Sequence, residues 1–209
     1  MQTQVKICGL TRREDVLAAD RAGADYLGFV LAPSPRRLTP EQAAAISEGV
    51  GAKRVAVVVN PSTADLSHML DVFAPDLIQF HGDETPEAVL RVAADHGVGV
   101  IKAVPVATPA DMKAAERYSA CDLVLYDAKP PESSDVRGGH GVAIDWDIIA
   151  NSPRPKRFAL AGGLTAENVA EAITRTGATV ADTSSGVELS PGVKDADAIA
   201  AFIRAAKGE

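Results

Sequence analysis

The stretch "VKICGLTRREDVLAADRAGADYLGFV", residues 5–30, contains one complete strand–helix–strand unit. A short apolar run is followed by a segment with apolar residues at helical spacing, and a second apolar run follows that segment. Two parallel strands joined by a crossover helix are the unit from which parallel sheets are built. The stretch therefore predicts an α/β fold with a parallel sheet.

The same alternation continues to the end of the chain. We predict eight strands, at residues 4–7, 25–30, 54–59, 77–80, 99–103, 123–126, 157–161 and 179–183. Helical patterns lie between them, several with a threonine or serine cap and a glycine stop, and the sixth is reduced to residues 146–150. Eight such units predict one domain over residues 1–209, a closed (βα)8 TIM barrel. An open doubly wound sheet is the alternative, but "CGLTRRED" lacks the GxGxxG fingerprint typical of it.

Composition narrows the class of partner and the compartment. With 209 residues, 46% of them hydrophobic, the chain can bury one full core. A net charge of -7 with scattered Lys and Arg argues against nucleic-acid binding. There is no leader-like segment, and no apolar run approaches the ~18 residues of a membrane span. Cys8 and Cys121 are too few for a disulfide framework. We expect a cytoplasmic protein that binds a small molecule, with neither a nucleic-acid nor a membrane partner.

Two loops rich in small residues follow the last two predicted strands. Gly162 and Gly163 come after the seventh strand, and Ser184, Ser185 and Gly186 come after the eighth. Glycine lets backbone N–H groups approach an anion closely, and a helix N-terminus adds positive charge. In TIM barrels these two loops commonly bind phosphate. The pattern favours a phosphate site, and ordinary tight turns are the alternative.

Two reactive side chains stand at other strand ends. Cys8 lies where the first strand meets the Gly9 turn, although most buried cysteines are inert. Asp127 closes the sixth strand and is a candidate general acid or base, or else a cap or an ion-pair partner of Lys129. Facing each other across a sugar phosphate, the two could move protons without a cofactor. Lys6, on the same side of the strand as Cys8, could lower the pKa of the thiol.

Several segments match one family as a set. They are "KICGLT", "GADYLGFV", "SPRRL", "QFHGDE", "YDAK", "LAGGLTAENV" and "DTSSGVELSPGVKD". Over residues 5–195 the chain resembles the phosphoribosylanthranilate isomerases of tryptophan biosynthesis. The resemblance implies a TIM-barrel enzyme that converts N-(5-phosphoribosyl)anthranilate to 1-(2-carboxyphenylamino)-1-deoxyribulose 5-phosphate. This Amadori rearrangement is an aldose–ketose isomerisation by general acid–base catalysis, without metal or cofactor.

The resemblance also implies roles for individual residues. Cys8 matches the general base that removes the proton from C2 of the sugar, and Asp127 matches the general acid that protonates the ring oxygen. Arg36 matches the arginine that binds the anthranilate carboxylate, for which a guanidinium is well suited; a solvated loop charge is the alternative. The other residues expected at the substrate are His81, Gly162, Gly163, Asp182, Ser185 and Gly186. We assign no proton transfer to His81 or Asp182.

The segment after Asp127 departs from the family pattern. It carries His140 where threonine or asparagine is expected, Arg137 where proline is frequent and Ile144 where phenylalanine is usual. We expect His140 to contact the pocket rim. The sequence leaves monomer and homodimer open.

Two other functions remain as alternatives. A metal-dependent pentose-phosphate epimerase would need about four ligands at the strand ends, where only His81 and Asp127 qualify. A non-catalytic phosphosugar-binding barrel would keep the glycine loops and could lose the acid and the base.

Overall fold

The computed structural model describes residues 2–129 and 144–209. Within these ranges, eight parallel strands close into a barrel in sequence order. The strands are β1 (Gln4–Ile7), β2 (Tyr26–Val30), β3 (Lys53–Val58), β4 (Leu77–Phe80), β5 (Gly99–Val106), β6 (Leu123–Ala128), β7 (Phe158–Leu160) and β8 (Val180–Thr183). The pairing of β1 with β8 closes the ring. The predicted TIM barrel is confirmed.

Helices cover the outside of the barrel between successive strands. They are α1 (Arg13–Arg21), α2 (Pro40–Ile46), α3 (Thr63–Val72), α4 (Pro86–His96), α5 (Pro109–Ala115), α6 (Trp146–Ala150), α7 (Val169–Thr176) and α8 (Ala196–Lys207). A 3-10 turn at Ser185–Val187 and a small antiparallel hairpin, β9 (Glu188–Ser190) and β10 (Val193–Lys194), separate β8 from α8. In the described parts of the chain, no helix is long and apolar enough to cross a membrane.

Local capping explains most helix ends. The side chains of Thr39, Ser62, Thr85 and Thr108 each accept a hydrogen bond from a backbone N–H in the first turn of α2, α3, α4 and α5. Gly97 ends α4 in the left-handed conformation. Threonine and serine caps and glycine stops are the helix-end signals that the sequence analysis used.

Helix α7 begins later than its sequence pattern suggests. Its first residue is Val169, and the preceding Asn168 does not cap it with its side chain. The Asn168 side chain instead accepts from the Thr165 N–H at 2.9 Å and donates to the Gly163 carbonyl at 3.0 Å. Asn168 therefore braces the loop after β7, where the sequence places a ligand site.

Apolar side chains fill two layers. An inner group, which includes Tyr26, Val55, Ile101 and Leu125, packs inside the barrel. A larger group packs between the strands and the helices around them. Because neighbouring residues of a strand point to opposite faces, each strand supplies both layers. Both layers bury apolar area and hold the strand ends in place.

Candidate active site

One pocket at the carboxyl ends of the strands collects the nine residues that the sequence placed at the substrate. Its lining includes Cys8, Arg36, His81, Asp127, Gly162, Gly163, Asp182, Ser185 and Gly186. These residues come from six strand ends and the loops after them, and barrel closure brings them together. This is the face on which TIM-barrel enzymes carry their active sites.

Cys8 lies beside a buried ion pair. Lys6 on β1 is in register with Asp182 on β8, and the Lys6 Nζ atom donates to Asp182 Oδ1 at 3.0 Å. Both side chains are buried, at 1% and 8% exposure. Cys8 follows β1 directly, and its backbone N–H donates to the Thr183 carbonyl at 2.8 Å. The closing pair of strands therefore places a thiol next to one cation and one carboxylate.

The protonation of this group follows from burial and charge. Burial raises the pKa of the Cys8 thiol above its ordinary value, and the smaller effect of Lys6 lowers it. The expected lowering by Lys6 is present, but the net shift has the opposite sign because burial outweighs it. Burial acts to lower the pKa of Lys6, but the attraction of Asp182 and Cys8 raises it overall. Lys6 is therefore protonated at neutral pH and is a fixed positive charge beside the thiol.

Asp127 lies near the end of β6 and is buried. Its Oδ1 atom accepts from the Ala128 N–H at 2.8 Å, and its Oδ2 atom lies 3.4 Å from His81 Nε2. His81 Nδ1 lies 3.2 Å from the amide nitrogen of Gln79, whose Oε1 atom is buried with no partner among the described residues. A row of polar groups from Gln79 to Asp127 thus crosses the mouth of the barrel. The sequence left open an ion pair of Asp127 with Lys129, but the ionisable partner that Asp127 has among the described contacts is His81, which the sequence analysis did not foresee in this role.

The loops after β7 and β8 form a concave backbone surface. Gly163 has a φ of 66°, a left-handed conformation that other residues adopt only with strain. The Thr183 hydroxyl donates to the Leu164 carbonyl at 2.8 Å and ties the two loops together. A Cβ atom on Gly186 would lie 2.1 Å from that carbonyl oxygen, so no larger residue fits there. The tight packing of these loops supports the predicted phosphate site.

Backbone donors on these loops are available to a ligand. No described residue accepts a hydrogen bond from the backbone N–H groups of Gly163, Ser185 or Gly186. Ser185 and Gly186 open the short 3-10 turn after β8. Unpaired N–H groups at the start of a helical turn are a suitable site for an anion.

Arg36 lies in the loop after β2 and is only 8% exposed. Its Nε and Nη2 atoms donate to the two carboxylate oxygens of Glu188 at 2.8 and 2.7 Å. Hydrogen bonding to Glu188 raises the pKa of Arg36. The neighbouring Arg37 is exposed. Arg36 is therefore not a solvated loop charge, and its guanidinium is already paired within the protein.

The sequence reasoning missed several residues that lie beside this pocket and contact or closely approach its residues. Glu188 and Lys194 lie within the quoted segment "DTSSGVELSPGVKD", but their pattern carried no signal that they would meet Arg36. Gly28 on β2 was also missed, and a Cβ atom there would lie 2.8 Å from Cys8 Sγ and 3.2 Å from Lys6 Nζ. A glycine inside a buried strand is a usable signal for such a close approach.

Two further expectations concern metals and the segment after β6. Within residues 2–129 and 144–209, no three His, Cys, Asp or Glu side chains come together as a metal site. The ligand set expected of a metal-dependent epimerase is therefore not found in this part of the chain. His140 and Arg137 lie outside the described residues. Ile144 is buried in the core.

Comparison with known proteins gives the family. The model of the N-(5'phosphoribosyl)anthranilate (PRA) isomerase family matches residues 5–205. The chain belongs to the N-(5'-phosphoribosyl)anthranilate isomerase family. An isomerase of this name from Paracoccus denitrificans is 48% identical over 207 residues, which cover 97% of this chain and 96% of the relative.

Solved structures of family members share the fold. The isomerase from Thermotoga maritima, studied as monomers generated from a dimeric protein, superposes with a TM-score of 0.86 at 36% identity and covers 99% of this chain and 100% of its own. A phosphoribosyl anthranilate isomerase in complex with reduced 1-(o-carboxyphenylamino)-1-deoxyribulose 5-phosphate superposes with a TM-score of 0.85, at the same identity and coverage. The family resemblance seen in the sequence is confirmed.

Proposed function

We propose that residues 1–209 form one catalytic domain that isomerises N-(5'-phosphoribosyl)anthranilate to 1-(2-carboxyphenylamino)-1-deoxyribulose 5-phosphate. The observation that carries the proposal is that Cys8 and Asp127 line the same pocket as a backbone anion site and a buried arginine. A phosphosugar that bears an anthranilate carries one phosphate and one carboxylate. The pocket offers one group for each.

The two ends of the substrate bind to different chemistry. The loops with Gly162, Gly163, Ser185 and Gly186 bind the phosphate through backbone N–H groups. Arg36 binds the anthranilate carboxylate, because a guanidinium can form two parallel hydrogen bonds with it. His81 and Asp182 also line the pocket. In this proposal they contact the sugar. Binding at both ends holds the sugar between Cys8 and Asp127, which gives orientation before any proton moves.

The reaction then requires two proton-transferring groups. Asp127 gives its proton to the ring oxygen, the C1–O bond breaks, and a protonated Schiff base forms at C1. The Cys8 thiolate removes the proton from C2, and the electron pair of that C–H bond forms the C1–C2 double bond and neutralises the nitrogen. Protonation at C1 and loss of the hydroxyl proton at C2 give the ketone. Lys6, fixed beside Cys8 by Asp182, stabilises the thiolate that this role requires.

The partner that we propose is a small phosphosugar, without nucleic acid or membrane, and the compartment is the cytoplasm. The chain acts as a monomer or a homodimer, and the related isomerase from Thermotoga maritima is described as dimeric.

The proposed activity is tested with the labile substrate generated in situ. Loss of its anthranilate-type fluorescence should depend on the protein and should persist in the presence of a chelator. Substrate binding without turnover would instead favour the non-catalytic phosphosugar-binding barrel. Complete loss of activity with chelator would favour a metal-dependent reaction.

A further inference from the structure

Glu188 has a buried carboxylate beside Arg36, which lines the pocket, and this carboxylate accepts several hydrogen bonds from protein groups. Its side chain is 5% exposed. It accepts from Arg36 Nε at 2.8 Å and Nη2 at 2.7 Å, from Lys194 Nζ at 2.8 Å and from the Gly192 N–H at 3.1 Å. Hydrogen bonds to two cations and one backbone donor hold this carboxylate in one place, since each would be lost if it moved.

The way in which Glu188 pairs with Arg36 leaves part of the guanidinium available. A guanidinium has five N–H donors arranged along two edges that can each match a carboxylate. Glu188 occupies the edge formed by Nε and Nη2. No described residue accepts a hydrogen bond from Arg36 Nη1, and Arg36 lines the pocket. The second edge, formed by Nη1 and the other Nη2 hydrogen, is therefore unused by the described protein.

We propose that Glu188 is a positioning residue for substrate recognition, which holds Arg36 by one edge so that the other edge faces the carboxylate of the substrate. This inference rests on the proposed function, because it takes the anthranilate carboxylate as the ligand of Arg36. The Arg36 side chain is flexible, and its ordering costs conformational entropy. If Glu188 already holds it in place, that loss no longer opposes substrate binding.

Lys194 explains why a carboxylate can hold Arg36 without cancelling its charge. Arg36 and Glu188 alone would be neutral and would attract no anion. Lys194 donates to Glu188 Oε1, to the Ser184 carbonyl at 3.0 Å and, at 3.4 Å, to the Ser184 hydroxyl. With Lys194 protonated, the group of three charges keeps one net positive charge. That charge matches a single carboxylate on the ligand.

The sign of one mutational effect separates a positioning role from simple electrostatics. Glu188→Gln removes a negative charge beside the carboxylate site, so Coulomb attraction alone would make carboxylate binding tighter. If Glu188 positions Arg36, the same change replaces one of the two acceptor oxygens by an NH2 group, loosens the hold on the guanidinium and makes carboxylate binding weaker. A third case, in which Glu188 competes with the substrate for Arg36, also predicts tighter binding when the carboxylate of Glu188 is removed. Only the positioning role predicts weaker binding.

The experiment compares two probes by calorimetry. They are reduced 1-(o-carboxyphenylamino)-1-deoxyribulose 5-phosphate and its counterpart without the carboxyl group. In the wild type the first should bind more tightly than the second. Glu188→Gln should reduce that ratio of affinities by about tenfold or more and leave the affinity of the carboxyl-free probe nearly unchanged. An unchanged or increased ratio would overturn the positioning role.

The controls distinguish the outcomes. Glu171→Gln changes an exposed glutamate that pairs with Arg175, and it should leave the ratio as in the wild type. A wild type that does not prefer the carboxylated probe would contradict the proposed function itself rather than the role of Glu188.

If the Glu188→Gln variant no longer unfolds cooperatively on heating, the Glu188→Asp variant is used in its place. The aspartate keeps the charge but is shorter, so the ratio should still fall, while binding of inorganic phosphate should persist; a ratio equal to that of the wild type would overturn the proposal.

Discussion

Cys8 and Asp127 line one pocket, yet their surroundings differ. Cys8 lies at the seam where β1 meets β8, beside the buried pair of Lys6 and Asp182. Asp127 lies on β6, with the Ala128 N–H and His81 as neighbours. The thiol therefore has a protonated lysine next to it, and the carboxylate has an imidazole ring next to it.

This difference supports the roles that we propose, namely base for Cys8 and acid for Asp127. A base needs surroundings that stabilise its anion, and the protonated Lys6 supplies that for a Cys8 thiolate. Asp127 lies instead at the end of a row of polar side chains that runs from Gln79 through His81. Different environments for two titratable groups are a common basis for assigning acid and base roles.

The largest effect is expected when each of the two proposed proton-transferring groups is removed in turn. Cys8→Ser and Asp127→Asn should each lower kcat by about two to four orders of magnitude, because general acid–base assistance commonly contributes that much. Affinity for the reduced product analogue should change far less. The measurement is single-turnover kinetics, in which chemistry is separated from product release. Near-normal turnover in either variant would remove that residue from its role.

A smaller effect is expected at Arg36, which lines the same pocket as Cys8 and Asp127 but has no proposed proton transfer. Arg36→Lys keeps the charge but loses the two-edged geometry, and it should weaken binding of the reduced product analogue by about 1 to 3 kcal/mol. The exposed Arg37 is the matched control, and Arg37→Lys should have little effect. Titration of both variants decides. A large loss at Arg37 with none at Arg36 would place the carboxylate site one residue further along the chain.

A comparable effect is expected at Gly28, which should disturb the Cys8 side alone. The new methyl of Gly28→Ala would crowd Cys8 Sγ and Lys6 Nζ, and overpacking of this kind destabilises by about 1 to 3 kcal/mol. Urea unfolding measures the free energy, and kcat should also fall because the thiol is displaced. Affinity for inorganic phosphate is the internal control. A variant with wild-type stability and kcat would show that this packing around Cys8 is not needed.

The smallest effect concerns the pH dependence of thiol reactivity. Because burial raises the pKa of Cys8 above its ordinary value, the thiol is mostly protonated at neutral pH, and its alkylation rate should keep rising above about pH 9. Burial also raises the pKa of Cys121, to about 11, so the measurement uses a Cys121→Ser background. Rates of iodoacetamide modification between neutral and alkaline pH provide the test. A rate that levels off near neutral pH would mean that Lys6 outweighs burial.

Much of the fold was predictable from local patterns. Apolar runs, threonine and serine caps and glycine stops depend on residues close together in the chain, and they located all eight barrel strands to within a few residues. Strands β5 and β6 extend further than predicted, to Val106 and Ala128. Proline is rare within strands, so Pro105 does not resemble a strand residue in the sequence, but in the barrel it pairs with Asp127.

The candidate site also has a part that the sequence predicted and a part that it did not. Its loops and its reactive groups stand at strand ends, and a family pattern of short segments pointed to Cys8, Asp127 and Arg36. Their partners came from far away in the chain: Lys6 and Asp182 are 176 residues apart, and Arg36 and Glu188 are 152 apart. No local pattern encodes such a pair, because either member alone resembles an ordinary charged residue.

The sequence by itself therefore determined the strands, the helix ends and the position of the glycine loops, since these follow from neighbouring residues. Only the tertiary structure decided which charges meet. Barrel closure sets the register of β1 against β8 and places the thiol beside an ion pair. The same closure brings the loop after β2 to β9, so that Glu188 holds Arg36. In both places the charged groups are buried, and charges removed from water need partners within the protein.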